Sequence, residues 1–405
     1  MKKNLFFASL MALGMSLGMV SCGDDNNNSS SNNNGGATAE EIEAQNIDYT
    51  AENAKAWGNY AYNVAMLLNN DANSLYNAWT SGDAPFADQF KNHTSGSGYS
   101  SAENCVEEIF QGCIDIASEV GTAKIGEPVD YYKSGLTNKA LYAVESWYSW
   151  HSRDDYKNNI LSIANSYLGT RINLNGGKLE VKDAITNQAA ANSLYTILSN
   201  KEATEWDAEE LLSSICNAWQ AIDNIPQPFR NNIGSNEAVA AMEACSDLEQ
   251  QLSSMKAKVE KNLTETEAQN IVNNYVDNVV VPTYSDLKTQ VGGLLSAIQE
   301  FQKNPSNSNF EEAAQAWLAA RAPWETSEAF LFGPVAKLGL DPNMDSWPLD
   351  PIGITNLLKS QKWSDMQWSG DYDEEDEAIE AAQSLRGFHT LEFLIFKNGK
   401  ARKVN

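Results

Sequence analysis

Apolar residues recur along this chain with a spacing close to 3.6 almost from end to end, the mark of amphipathic helices. Trp57, Tyr60, Ala61, Val64, Leu67, Leu68, Leu75 and Trp79 fall on one helical stripe, and Val106, Ile109, Phe110, Cys113, Ala117 and Val120 on a second. The same period predicts helices over 154–168, 183–200, 207–223, 236–262, 265–302, 309–330, 352–361 and 376–397. Strand signals are almost absent. The exception is Ile172 to Val181, where Asn175-Gly176-Gly177 separates two short alternating runs, read either as a hairpin or as a loop leading into a helix. Pro282 interrupts an otherwise continuous pattern and predicts a kink rather than two unrelated helices. The pattern as a whole predicts an all-α protein, about two-thirds helix or more, built as two packed helical bundles. The best break lies around Pro226, Pro228, Asn231 and Gly234, which puts one bundle over 38–230 and the other over 231–405.

The front of the chain departs from this pattern. Lys2 and Lys3 precede an apolar run from Leu5 to Val20, and Met19-Val20-Ser21-Cys22 closes it. That order predicts a lipoprotein signal peptide over 1–22, with Cys22 as the lipid anchor. Gly23 to Gly36 carries no apolar residue and cannot bury a core, so residues 23–37 read as a flexible tether and the folded part starts near Thr38. The expected location is the outer membrane, on its periplasmic or outer side, with membrane contact through the anchor alone and a monomeric folded part. Acidic residues outnumber basic ones 54 to 28, which argues against nucleic acid as a partner. The acidity fits cation handling, but a solvated surface accounts for it more simply. Cys105 and Cys113 stand eight apart on one predicted helix, roughly 12 Å by helix rise and too far to bond each other. Cys216 and Cys245 lie on consecutive predicted helices where they could face one another.

The densest chemistry lies in the last 90 or so residues by the same count. Trp317, Arg321, Trp324, Glu325 and Glu328 share one helix; Phe332-Gly333-Pro334, Asp341 and Trp347-Pro348-Leu349-Asp350 follow, and then Arg386-Gly387-Phe388-His389-Thr390-Leu391-Glu392-Phe393. His389 and Glu392 are three apart, so a helix projects both from one face toward one ion or one proton. Gly387 removes a side chain just before them and lets another helix come close. Arg321 sits one turn before Glu325, which makes an ion-pair network as good a reading of Glu325 and Glu328 as a ligand set. Asp350, ahead of Pro351, is an N-cap first and a ligand second.

Gly387-Phe388-His389-Thr390-Leu391-Glu392 resembles the G-x-H-x-x-E motif of the imelysin family, and Trp324-Glu325 to Pro334 and Trp347 to Asp350 resemble its other two signatures. The family includes exported helical proteins implicated in iron uptake, alongside members described as peptidases. The resemblance implies two helical bundles with the motif near their contact. It also implies a metal ion, iron first, held by His389, Glu392, Glu325, Glu328 and Asp350, with an iron-transport system as partner. The order of segments departs from the family: Glu119-Val120 through Ile125 and Pro128, Glu145-Ser146-Trp147-Tyr148-Ser149 and Asp154 to Gly169 resemble its C-terminal portion but stand first here. A circular permutation follows, and it predicts that Glu145, Ser149 and Ser152 lie close to His389 and Glu392, beside Gly387 and Arg321. No H-E-x-x-H occurs, and Phe393 stands where an H-x-x-E-H motif places its second histidine. Metal binding is therefore the first reading and a metallopeptidase the alternative. A third, a module for polysaccharide or a partner protein, rests on Trp363, Trp368 and Tyr372 lining a surface groove.

Overall fold

In the computed structural model, which describes residues 35–180 and 183–404, helix accounts for 69% of the protein and strand for almost none. The fold is all-α. Ten helices carry the core and the site: α1 (Ala54–Thr80), α2 (Ala102–Glu119), α3 (Ser152–Leu168), α4 (Glu205–Asp223), α5 (Asn236–Asn262), α6 (Glu265–Tyr275), α7 (Val281–Lys303), α8 (Asn307–Glu325), α9 (Leu340–Asp345) and α10 (Phe388–Ile395). Their starts follow local chemistry. Ser101, Ser235 and Ser306 each accept a hydrogen bond from a first-turn amide of α2, α5 and α8, and Thr264 with Glu267 forms a capping box at α6. Gly169 ends α3 in the left-handed conformation at φ 64°, which costs a residue without Cβ little.

The stripes read from the sequence are the buried faces. Trp57, Tyr60, Val64, Leu68, Leu75 and Trp79 of α1 are buried, as are Val106, Ile109, Phe110 and Cys113 of α2. At roughly 1.5–3 kcal/mol for each large apolar side chain removed from water, such stripes supply the main drive to pack. Two buried indoles also tie the bundle to the motif helix: Trp57 Nε1 donates to Leu394 O and Trp317 Nε1 to Phe388 O, each at 2.9 Å.

Helix pairing crosses the expected boundary at residue 230. One group is α1, α7, α8 and α10, joining the front of the chain to its back; the other is α2, α3, α4 and α5, with α6 against α2. Thus α5, expected in the second bundle, packs on α2 and α4, and α1, expected in the first, packs on α7. Apolar faces rather than chain order decide this, and one continuous apolar cluster runs through both groups.

Several elements differ from expectation. The path from α6 to α7 is continuous, and a π-helical segment, Val276–Val280, precedes Pro282, so the widened turn absorbs the missing proline N–H. The stretch 183–200 holds two short helices, Asp183–Thr186 and Leu194–Ser199, and the stretch 376–397 is divided at Gly387. Among the described residues no strand forms at 172–180. The hairpin is instead β1 (Phe396–Lys397) with β2 (Lys400–Ala401), turned by Asn398 and Gly399 at φ 52° and 74°. Cys105, Cys113, Cys216 and Cys245 are buried free thiols, so Cys216 and Cys245 form no disulfide.

The signal peptide, Cys22 and most of the tether lie outside the described residues. Gly35 is buried and its carbonyl accepts from Lys139 N at 2.8 Å, so the folded part takes in the last residues assigned to the tether. Among the described residues no helix is long and apolar enough to cross a membrane.

Candidate functional site

The site forms where α8, α9, α10 and the start of α3 meet the loop before α3 and a second π-helical segment, Val120–Gly126, at the end of α2. Gly387 makes the meeting possible. At φ 91° it caps α10, and a Cβ there would stand 2.4 Å from Met344 O, so any other residue would push α9 away from the motif. Asp345, the last residue of α9, is thereby brought to His389.

His389 is fully buried and held from both sides. Its Nδ1 lies 3.2 Å from Glu392 Oε2, while Nε2 lies 3.1 Å from Asp345 Oδ1 and 3.2 Å from Glu145 Oε1. The other oxygen of Glu392 accepts from the Ser149 amide at 2.7 Å and its hydroxyl at 2.8 Å. Glu392 therefore stands behind the imidazole and fixes its plane, while Nε2 points into the cluster.

Arg321 occupies the centre. Its guanidinium lies 2.7 Å from Glu145, 2.6 Å from Glu325 and 3.4 Å from Asp155, bonds Asp345 Oδ1, and passes 3.2 Å from His389 Nε2. Lys124, carried by the π-helical segment, reaches Glu145 at 3.0 Å and Glu119 at 3.6 Å. Asn159 donates to Glu325 at 2.5 Å, and Trp324 Nε1 to Asp345 Oδ2 at 2.6 Å. Six side chains ending in carboxyl groups, Glu145, Asp155, Glu325, Glu328, Asp345 and Glu392, are thus buried around three bases, Arg321, Lys124 and His389.

That imbalance shapes the protonation. Burial raises the carboxyl pKa of Glu145, but Lys124, His389 and Arg321 outweigh it and bring it down to about 2. Asp345 likewise resists burial, held well below the carboxylate range by Arg321 and His389. Burial and Arg321 push the imidazole of His389 down, yet Asp345 and Glu145 win and keep it protonated well above its ordinary value. Glu325 and Glu328 are carried well above theirs by burial, against the pull of Arg321 and Lys124 respectively. Burial, with Asp345 beside it, lifts Asp341 to about 7. Proton sharing of this kind is the state of a cluster with more acid than base.

The structure sorts the expected residues. His389, Glu325, Glu328, Arg321 and Glu145 converge; Ser149 reaches Glu392 across 243 positions; and Ser152 holds the Glu145 carbonyl at 2.5 Å. Glu392 stands on the Nδ1 side of His389, its oxygens on Ser149 and His389. Asp350 is not brought to the cluster: it is exposed and caps the helix Pro351–Ser360, accepting from Gly353 N at 2.8 Å. The three aromatics expected to line a groove are instead engaged within the protein. Trp363 stacks on Tyr60 with ring centres 5.5 Å apart, Trp368 donates to Asn343, and the Tyr372 ring covers Gly339. Sequence reasoning missed Asp345, Asp155, Lys124 and Asn159. Lys124 and Asp155 lie inside segments already matched to the family; Asp345 had no motif of its own.

Among the described residues two triads have donor atoms mutually within 4.8 Å: Glu145, Asp345 and His389, and Glu325, Glu328 and Asp345. The comparisons agree with this architecture. The Peptidase_M75 (Imelysin) family model matches residues 32–255 and 280–405. A crystal structure of an imelysin peptidase from Bacteroides ovatus is 52% identical, with a TM-score of 0.82, covering 89% of this chain and 100% of that one. Iron-regulated protein A of Synechococcus elongatus is 36% identical over 125 residues, 31% of this chain and 31% of the relative, so the match spans under a third of that protein.

Proposed function

We propose that this chain, which belongs to the imelysin family, binds an iron ion as cargo on the Glu145, Asp345 and His389 triad, for delivery to a bacterial iron-uptake system. The observation that carries the reading is the buried excess of carboxyl groups with an imidazole Nε2 turned toward two of them. One imidazole with several carboxylates suits iron, a harder ion than those that favour sulfur. The name of the Synechococcus relative supports the choice of iron. Binding would require His389 to release its Nε2 proton and Arg321 to give up its hold on Glu145 and Asp345, so one cation replaces another. Affinity then rises with pH through the neutral range.

The rest of the proposal concerns place. Cys22 would hold the protein on the outer membrane, and the family's segments would stand here in permuted order, a reading supported by the contact of Ser149 with Glu392. A peptidase reading has the name of the Bacteroides relative behind it, but His389 is fully buried and no peptide carbonyl reaches it without a rearrangement.

Calorimetric titration of the metal-free chain with ferrous and ferric iron tests the proposal. Wild type is expected to bind, with His389→Ala at least tenfold weaker. Absence of iron binding by wild type, or peptide cleavage abolished by His389→Ala, overturns it.

A further inference from the structure

Glu328 is the odd member of the cluster. It is 7% exposed, and among the described residues its carboxyl group makes no hydrogen bond and no ion pair within 4 Å. The other acids of the two triads are engaged: Glu325 by Arg321 and Asn159, Asp345 by Arg321, His389 and Trp324, Glu145 by Lys124 and Arg321. A largely buried carboxyl group without a protein partner gives up most of its hydration for nothing in return, and calls for an explanation. It is aimed at Glu325 and Asp345, whose oxygens lie within 4.8 Å of its own.

Local structure holds it there. Glu328 opens a short 3-10 turn, Glu328–Phe330, directly after α8, and the Ala329 amide donates to Ser162 Oγ of α3 at 3.1 Å, pinning the turn to the other helix group. Gly112 of α2 admits the Ala329 carbonyl, where a Cβ would meet the oxygen at 2.1 Å. A free carboxyl group is thus fixed by backbone contacts rather than by any bond of its own.

We propose that Glu325, Glu328 and Asp345 form a second cation seat, all oxygen, for a hard divalent ion of the calcium, magnesium or manganese class, sharing Asp345 with the iron triad. This deepens the iron reading and rests on it only for the shared residue. Three carboxylates with water completing the shell suit such ions and offer nothing to a soft metal. Glu119, whose charge acts on Glu328, has a side chain 30% exposed. Arg321 touches Glu325 and Asp345 but stands beyond 4 Å from Glu328, so an ion on Glu328 adds a partner without having to displace one there.

Manganese(II) titration of the whole metal-free chain, followed by electron paramagnetic resonance, tests the seat with a probe that needs no activity. Wild type is expected to bind manganese, and Glu328→Gln, close to isosteric, to lose at least tenfold in affinity while melting within a few degrees of wild type. Its iron affinity should stay within about threefold, and His389→Ala should keep manganese while losing iron. Unchanged manganese binding in Glu328→Gln overturns the seat and leaves the iron proposal standing. Manganese lost only in His389→Ala assigns the ion to the other triad and overturns it too. Should Glu328→Gln melt early, Glu328→Asp decides: it keeps the charge but shortens the reach, and wild-type affinity in it counts against the seat.

Discussion

Two of the buried arginines, Arg386 and Arg321, have surroundings that differ in kind. Arg386 bonds the carboxylate of Asp71 on α1 and donates to Met366 O at 3.2 Å. Around that pair Asn343 accepts from Gln383 at 3.1 Å and from Trp368 at 2.9 Å. One acid meets one base, and neutral amides and an indole fill the rest. Arg321 faces Glu145, Asp155, Glu325 and Asp345 together, with Lys124 and His389 as the remaining bases. The Arg386 network is balanced and joins a loop to a helix. The Arg321 network is overfilled with acid, and a fold that needed only a strut would not carry the surplus, since each extra buried charge opposes folding. Surplus, rather than burial or bonding, separates a site from a strut here.

The largest effect should come from removing the central cation. Arg321→Met leaves four buried acids facing one another, and the metal-free protein should lose at least about 3–5 kcal/mol in urea unfolding at pH 7. The loss should shrink at pH 5, because protons can then replace the guanidinium on Glu325, whose pKa burial already raises. An equal loss at both pH values would argue that the acids do not share charge.

At the balanced site, Asp71→Asn should cost about 3 kcal/mol by stranding Arg386, and adding Arg386→Met should restore most of it, because a matched pair exchanged for apolar groups is close to neutral. No single partner change can rescue Arg321→Met. Manganese and iron titrations of the Asp71→Asn, Arg386→Met double variant should match wild type. A shift in either affinity would erase the distinction between the two networks.

His389 comes next. Its imidazole pKa is raised in the folded protein, so the protonated ring stabilises the fold fully below about pH 6.5, its unfolded value, and that contribution fades as pH rises through the folded value. Metal-free wild type should therefore lose stability from pH 7 toward pH 9, and His389→Ala, about 1–3 kcal/mol less stable near pH 6, should show a flatter slope. Saturating iron should remove the slope in wild type, since the ion takes over from the proton. A slope indifferent to both changes would place the titration elsewhere.

The same contrast explains how much could be read beforehand. Helices follow from a local period, and nearly all were legible; so was the G-x-H-x-x-E run, because its members are neighbours. Asp345 was not, since it reaches His389 only through the close approach of α9 that Gly387 permits, a relation 44 positions long written in one missing side chain. The setting of Glu392 was not legible for a complementary reason: spacing places it on the face of His389, but its hold on Ser149 joins positions 243 apart. The hairpin at Asn398-Gly399 did carry a local signal, the turn dipeptide itself, and was overridden by the helical pattern before it. The helix pairing was not legible because α1 and α5 have apolar faces that fit partners from either end, and sequence order says nothing about which they take.

The smallest effect should mark the edge of the site. Asp350 was expected among the ligands because it follows the Trp347-Pro348 signature and bears the right charge. In the structure its carboxylate accepts from Gly353 N at 2.8 Å, and Pro351 at the first helical position needs no acceptor for an N–H it lacks. Gly353 fits this geometry closely, since a Cβ there would stand 2.2 Å from Asp350 Oδ2. Removing a helix cap of this type costs about 1 kcal/mol, so Asp350→Ala should lower stability by that amount, with Asp350→Ser recovering much of it because serine also caps. Neither variant should alter iron or manganese affinity by more than about twofold, an energy of about 0.4 kcal/mol. A tenfold loss of metal binding in Asp350→Ala, retained in Asp350→Ser, would return Asp350 to the ligand set and require the Pro351–Ser360 helix to shift when the ion arrives.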